Sequence, residues 1–132
     1  MKLELRYNLP FTSASLSHQG RVIDVQPILI DTGSASTVIS ADVVDAIGIV
    51  PRPDDILNKL RGIGGTEVVY RRVVDRLSVG DAYLSDFDVE IGGMDYGFEI
   101  QGIIGMDFLR RTRSLINLKD MTLELPWPSK TI

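Results

Sequence analysis

The sequence predicts an all-β domain that closes into a barrel and carries two short helices. Apolar and polar residues alternate with period 2 over several segments, which is typical of half-buried strands. Glycine-containing turns separate these segments, and only two short segments place apolar residues at helical spacing. We expect all 132 residues to form one domain, since single domains commonly hold about 100–150 residues. Residues 126–132, which include two prolines, are expected to be a loose tail.

The first half of the chain is predicted to hold two strands, a turn region and a short helix. In order, these are a half-buried strand at 3–7, a serine-rich turn region at 12–20, a strand at 21–30 and a helix at 40–47. An unbroken apolar run at the end of the second strand is typical of burial on both faces. Ser40 is expected to cap the helix with its hydroxyl, and Gly48 to end it in a left-handed conformation.

The second half is predicted to consist of hairpins and one further helix. In order, these are a hairpin with a long strand at 60–79, a strand at 83–91, a short strand end at 103–105, a helix at 106–112 and a hairpin at 115–125. Glycines mark the turns, at 62–65 inside the first hairpin and at Gly80 after it. Many short strands joined by such turns are typical of an all-β barrel.

Composition and charge exclude several classes of protein. No cysteine is present, which removes disulfides, thiolate nucleophiles and cysteine-type zinc sites. The net charge of −4 argues against nucleic-acid binding, which needs clustered positive charge. No apolar run approaches the roughly 20 residues of a membrane span, and the N-terminus lacks the apolar core of a signal peptide. We therefore expect a cytoplasmic protein with neither a membrane nor a nucleic-acid partner.

Metal sites and cofactors are not expected either. A single histidine excludes sites built from several histidines. The acidic pairs Asp54-Asp55 and Asp86/Asp88 lack calcium-loop spacing and are expected to face solvent. The basic pairs Arg71-Arg72 and Arg110-Arg111 are interpreted as solvated faces.

One segment has the residues that chemistry needs, Leu29-Ile30-Asp31-Thr32-Gly33-Ser34. An ordinary turn is one interpretation, because Asp, Thr, Gly and Ser all form turns. The apolar flanks favour another interpretation, in which a buried strand holds the Asp31 carboxylate at its rigid end. Gly33 would then let the loop approach a partner closely and leave amides free to bond the carboxylate.

This segment resembles the catalytic loop of retropepsin-like aspartic proteases. The glycine-rich turn at 62–65 is similar to the flap tip of that family, and Ile103-Ile104-Gly105 is similar to its apolar-apolar-glycine motif. The three motifs stand in the family's order, and the resemblance spans about residues 3–125. The helix at 40–47 departs from the smallest viral forms and is similar to cellular shuttle-protein and bacterial domains. The resemblance implies a barrel of the acid-protease type and an aspartic endopeptidase that cleaves polypeptides without a cofactor.

A homodimer follows from the presence of a single Asp-Thr-Gly. Two carboxylates that share one proton can activate a water and protonate the substrate, because like charges about 3 Å apart cannot both ionise. Asp95-Tyr96-Gly97 lacks a preceding apolar strand and is interpreted as a turn. The second carboxylate must then come from a second copy of the chain.

The resemblance also implies roles within the loop. Asp31 would be the catalytic residue, and Thr32 would bond across the dimer axis. Gly33 would give its amide to the carboxylate and help to hold the substrate. Ser34 is expected to donate its hydroxyl to Asp31, which would favour the charged carboxylate and an acidic working range.

Roles outside the loop are implied in the same way. Ile63 and Gly64 lie where the flap would cover the substrate. Ile103 and Ile104 would wall the site, although an ordinary core position remains open for both. Gly105 would allow close packing beneath the catalytic loop.

Some alternatives stay open. The terminal strands, at 3–7 and 122–125, would interleave between two copies as in the viral proteins, or form edge strands within one monomer. A retropepsin-like module with weak or no catalysis, used for dimerisation or peptide binding, is the main rival in function. A serine hydrolase that uses His18 is disfavoured, since no Gly-x-Ser-x-Gly elbow is present and His18 is expected in a solvated turn.

Overall fold

The computed structural model describes residues 1–62 and 65–126, which fold as a mostly β protein with two short helices. The strands are β1 (Glu4–Arg6), β2 (Leu9–His18), β3 (Arg21–Ile30), β4 (Val38–Ser40), β5 (Asn58–Gly62), β6 (Gly65–Val79), β7 (Ala82–Gly92), β8 (Gly102–Ile104), β9 (Leu115–Asn117) and β10 (Thr122–Glu124). The helices are α1 (Ala41–Asp45) and α2 (Met106–Arg111). The predicted fold class is confirmed in this coarser form.

Eight strands form one sheet in the order β1-β2-β3-β8-β4-β7-β6-β5, and β2 also pairs with β6. Closure into a barrel stays a prediction. The strands β9 and β10 form a separate antiparallel pair. Two pairings of the large sheet are parallel, β3 with β8 and β4 with β7. Because β8 lies between β3 and β4, the segment that joins these two strands must pass over the end of β8.

Two clusters of buried side chains lie on opposite faces of β3. The main core contains Ile28 and Ile30, and the second core contains Leu29. Successive side chains of a strand point to opposite faces, so this split is the two-sided burial that the apolar run predicts. The second core comprises Phe11, Leu29, Val38, Val69, Met94, Ile100 and Ile103.

The predicted turn region at 12–20 is wrong, because most of it belongs to β2. Ala14, Leu16 and His18 are buried while the serines between them are not, so the segment has the period of a strand. Pairing with β3 on one side and β6 on the other overrides the turn preference of serine. His18 is 8% exposed and not solvated, and its Nδ1 has no hydrogen-bond partner among the described residues.

The first helix is shorter than the predicted 40–47. It begins at Ala41 and ends at Asp45, and Ser40 precedes it without the predicted side-chain cap. Ser40 instead belongs to β4, where its amide donates to the Gln101 carbonyl at 2.9 Å. Gly48 has the predicted left-handed conformation, with a φ of +83°, but it lies in the turn after the helix and does not end it.

Two residues expected at the solvated surface form a buried ion pair. Arg72 donates through Nη2 to both carboxylate oxygens of Asp55, at 2.9 and 2.7 Å. The two side chains are 8% and 13% exposed. A planar guanidinium suits such a two-pronged contact, which ties the loop after α1 to β6. Arg110 and Arg111 are exposed as predicted.

Within the described residues, no helix combines the length and apolar character that a membrane crossing requires.

Candidate active site

The loop that joins β3 to β4 presents Asp31 at a fixed position. The Asp31 amide donates to the Ile104 carbonyl at 3.0 Å, which extends the β3–β8 pairing by one residue. The Gly33 amide donates to Oδ1 of Asp31 at 2.9 Å. The carboxylate is half-buried, whereas Thr32 and Gly33 are exposed. The loop therefore orients one carboxylate oxygen through an amide and leaves the group open to a partner.

Gly105 lies directly beneath this loop. A Cβ at this position would overlap the Ser36 carbonyl and lie 2.8 Å from the Ser34 carbonyl oxygen. The neighbouring Met106 amide donates to the same Ser34 carbonyl at 2.8 Å. Since the loop crosses the end of β8 here, only a residue without a side chain leaves room for it.

Thr37 and Asp107 stabilise the loop from its far end, and neither was predicted from the sequence as part of the site. The Thr37 hydroxyl donates to Oδ1 of Asp107 at 2.7 Å and accepts the Gly105 amide at 3.1 Å. Oδ2 of Asp107 accepts the Thr37 amide at 3.0 Å, and Oδ1 also accepts the Phe108 amide at 2.8 Å. This network joins the end of the loop to the start of α2. The sequence signal was an acidic residue in the first turn of a helix, which does not name its partner.

Ser34 does not make the predicted contact with Asp31. Its hydroxyl donates to the Ser36 carbonyl at 2.7 Å. A hydroxyl carries one proton, so it is not donated to the carboxylate in this structure. The acidic working range was expected because of a hydrogen bond from Ser34 to Asp31, and that bond is not made. Ser34 instead stabilises the turn within the loop.

The two isoleucines of β8 occupy different faces. Ile103 pairs with Leu29 in register and packs in the second core, on the strand face that also carries Asp31. Ile104 is 0% exposed and packs in the main core. Ile104 was expected to wall the site, but successive side chains of a strand alternate between its two faces, and that of Ile104 lies on the face away from Asp31. Ile104 therefore occupies the ordinary core position that was left open as the alternative.

The region predicted as a flap is a hairpin of β5 and β6. These strands pair antiparallel up to Gly62 opposite Gly65. Ile63 and Gly64, which were expected to bind substrate, lie outside the described residues.

A cavity of about 690 Å³ opens beside Asp31. Apolar side chains dominate its lining, among them Leu5, Ile116 and Leu118. Leu5 is 58% exposed and Leu118 66% exposed, although both are large and apolar. Large apolar side chains are therefore exposed to solvent beside Asp31.

The chain termini pair with one another within the monomer. The N-terminal ammonium donates to the Leu123 carbonyl, and the Leu123 amide donates to the Met1 carbonyl, both at 2.8 Å. The Leu3 amide bonds the Met121 carbonyl at 2.8 Å. The terminal strands were expected either to interleave between two copies or to form edge strands within one monomer. In this structure they pair within one monomer.

Titratable clusters of the kind that bind metals are missing from the described parts of the chain, where no three His, Cys, Asp or Glu side chains come together.

Comparison with known proteins agrees with this geometry. A family model described as aspartyl protease matches residues 15–108, which is more than half of the chain. The matched range contains Asp31, Gly33, Thr37, Gly105 and Asp107, and it ends before β9. A search of the curated proteins found no match. The matched range is consistent with the resemblance to the retropepsin-like proteases, and the chain belongs to the aspartyl protease family.

Proposed function

We propose that the protein is an aspartic endopeptidase that acts as a homodimer, with Asp31 from each copy forming the catalytic pair. Family membership supports a protease in general. The observation that carries the specific proposal is the Asp31 carboxylate, which is held at the end of a buried strand and oriented by the Gly33 amide at 2.9 Å. The fold we propose around it is one closed barrel that includes the whole chain.

The chemistry follows from a carboxylate pair that shares one proton. The ionised carboxyl takes a proton from a bound water as the water oxygen attacks the peptide carbonyl carbon, and the protonated carboxyl gives its proton to the carbonyl oxygen. The tetrahedral adduct then collapses as a proton passes to the leaving nitrogen and the C–N bond breaks. The proton belongs to the pair, so neither Asp31 is assigned a fixed role.

The second copy would cover the apolar surface beside Asp31. The exposed Leu5 and Leu118 line the same cavity as Asp31 and Thr32, so a two-fold axis at this surface would bring the two loops together. Interleaved termini are not needed, because the N-terminal segment already pairs with β10. Among the described residues, β9 has a strand neighbour on one side only, which leaves its other edge for the second copy.

The positions of the other candidate site residues suggest the role of each in this proposal. Thr32 is exposed at the loop tip, where a partner loop would meet it, and the exposed Gly33 is open to substrate. Ile103 would form part of the apolar floor of the site. Ser34 and Gly105 would support the loop, and Ile63 with Gly64 would cover the substrate.

The test combines a substitution with a matched control. Asp31→Asn should abolish cleavage of a peptide library while the circular dichroism spectrum stays that of the wild type. Asp95→Asn, in the other Asp-x-Gly sequence, should cleave as the wild type does. Sedimentation should show a dimer at working concentration. Cleavage by Asp31→Asn would refute the catalytic pair, whereas a monomer that cleaves nothing would favour the non-catalytic peptide-binding module.

A further inference from the structure

A second cavity, of about 520 Å³, is lined mostly by charged side chains. It shares no lining residue with the cavity beside Asp31, so it is a separate feature of the fold. The residues that line it are His18, Arg52, Asp55, Arg71, Arg72, Val73 and Asp88.

This cavity lies at a gap along one edge of β6. On that edge β6 pairs with β5 over residues 65–69 and with β2 over residues 76–78. Among the described residues, the stretch between them has a strand neighbour only on the other edge, in β7. The loop after α1 reaches into the gap through the ion pair of Asp55 with Arg72. His18, the last residue of β2, lines the same cavity, so three separate segments meet there.

Two guanidinium groups in the cavity keep donors that bond no described residue. Arg71 donates through Nε to Oε1 of Glu90 at 3.2 Å, which orients the guanidinium. Its Nη1 lies 3.6 Å from the nearest oxygen of Asp88, which is longer than a hydrogen bond. The Arg52 side chain takes part in none of the ion pairs of the described structure. Arg52 and the Nη groups of Arg71 are therefore open to a ligand.

The carboxylates of this region leave one exposed negative charge at the cavity. Asp55 lines the cavity, but both of its oxygens accept from Arg72. Glu90 is 4% exposed and is not part of the lining. The Asp88 side chain is 46% exposed and does line the cavity. An anion bound here would meet this single half-exposed carboxylate, so removing it should favour binding.

His18 supplies a third donor from the end of β2. The residue is 8% exposed, and its Nδ1 is buried without a hydrogen-bond partner among the described residues. A buried N–H group without an acceptor is rarer in proteins than a buried acceptor without a donor. The neutral ring carries one hydrogen, so we place it on Nε2, which is not among the buried unpartnered atoms. Nε2 can then donate to a ligand in the cavity that His18 lines.

We propose that this cavity is a binding site for a phosphate group, held by Arg52, Arg71 and His18. The donors come from three segments of the chain, and a phosphate group has enough oxygens to accept from all of them. A carboxylate offers only two oxygens, which one guanidinium already satisfies. The planar guanidinium also matches the geometry of phosphate oxygens. The site goes beyond the proposed protease function, because it uses neither Asp31 nor a second copy.

The test uses His18 as its own reporter, since it is the only histidine of the chain. At neutral pH and constant ionic strength, inorganic phosphate or O-phospho-L-serine should shift the ¹⁵N NMR signal of Nε2 in a saturable way, and more than that of Nδ1. Acetate should bind about fivefold or more weakly, because it offers fewer acceptors. An unmoved His18 signal with both phosphate compounds, or equally tight binding of acetate, would overturn the proposal.

Charge variants locate the site. Arg52→Gln should weaken phosphate binding by about fivefold or more, because it removes a charged donor. It should unfold at the same urea concentration as the wild type, since the Arg52 side chain forms no ion pair with described residues. Asp88→Asn should tighten binding, because it removes a like charge from the cavity. Arg110→Gln is the matched control, since Arg110 is exposed and lies outside the lining.

The remaining outcomes are also decisive. Equal weakening by Arg52→Gln and Arg110→Gln would show a response to overall charge only and would overturn the site, as would weaker binding by Asp88→Asn. Tighter binding of inorganic phosphate than of phosphoserine would support the site with the free ion as its ligand. The reverse order would support it with a phosphate group carried by a larger molecule. Asp31→Asn should bind phosphate as the wild type does, so failure of the protease proposal leaves this test intact.

Discussion

Replacing Thr37 by valine should destabilise the fold strongly, although the two side chains have nearly the same shape. Thr37 is 0% exposed, and its hydroxyl serves both the Asp107 carboxylate and the Gly105 amide. A hydrogen bond to a charged group contributes about 1.5–3 kcal/mol, and a buried amide left without an acceptor costs about 1–3 kcal/mol. Thr37→Val should therefore lower the free energy of unfolding by about 3–5 kcal/mol.

Thr37→Ser is the matched control, because it keeps the hydroxyl and loses one methyl group. That loss should cost about 1 kcal/mol. Urea denaturation followed by circular dichroism measures both variants, and peptide cleavage by the folded fraction reports on the loop. Equal losses of stability in the two variants, within about 0.5 kcal/mol, would refute the argument that the hydroxyl network braces the loop.

Three further predictions concern sites elsewhere in the described structure. Gly105→Ala should cost about 3 kcal/mol in urea denaturation, since its Cβ would overlap backbone atoms that cannot yield cheaply. Asp55→Asn should cost about 3–5 kcal/mol by the same measurement, because it leaves the Arg72 charge buried without its partner. Burial raises the pKa of the Tyr70 hydroxyl. Folding is then favoured below the pKa of an unfolded tyrosine, about 10, and this contribution is lost as pH rises towards the raised folded value. Tyr70→Phe should flatten the alkaline fall in the free energy of unfolding.

Each of these predictions has its own control. Gly20→Ala introduces a Cβ into open space at a φ of +80°, so it should cost only the left-handed strain of about 1 kcal/mol. A cost at Gly105 no larger than that would contradict the packing argument. Asp54→Asn, at an exposed neighbour of Asp55, should be nearly neutral. Identical alkaline profiles for Tyr70→Phe and the wild type would show that Tyr70 does not govern this part of the profile.

Sequence patterns among neighbouring residues predicted correctly those strands and helices whose bounds depend on neighbouring residues. The strand at 21–30 has the predicted bounds, because its alternating residues and its apolar run are visible in sequence. The helix after Gly105 and the final hairpin were also found at the predicted places. β2 was missed because serine prefers turns, and the two neighbours that hold it as a strand lie elsewhere in the sequence.

In the candidate site, too, contacts between residues close in sequence were predictable, whereas contacts between distant residues were not. The contact between the Gly33 amide and Asp31 spans two residues, so turn chemistry suggested it. Thr37 and Asp107 are 70 residues apart, and no pattern along the chain joins them. The Ser34 hydroxyl donates to the Ser36 carbonyl and not to Asp31, and this choice depends on loop geometry that the sequence does not contain.

The loop that carries Asp31 is supported by residues that are synthesised much later. The Asp31 amide can donate to the Ile104 carbonyl only after Ile104 has been synthesised. In the same way, the Ser34 carbonyl can accept the Met106 amide only after Met106 has been synthesised. Contacts between such distant residues form slowly, because the intervening chain must first lose its freedom. Residues 102–107 also leave the ribosome only after the whole segment between them and the loop has been made. The carboxylate therefore acquires its working geometry late, so a nascent chain with the proposed activity cannot cut other proteins before it has folded itself.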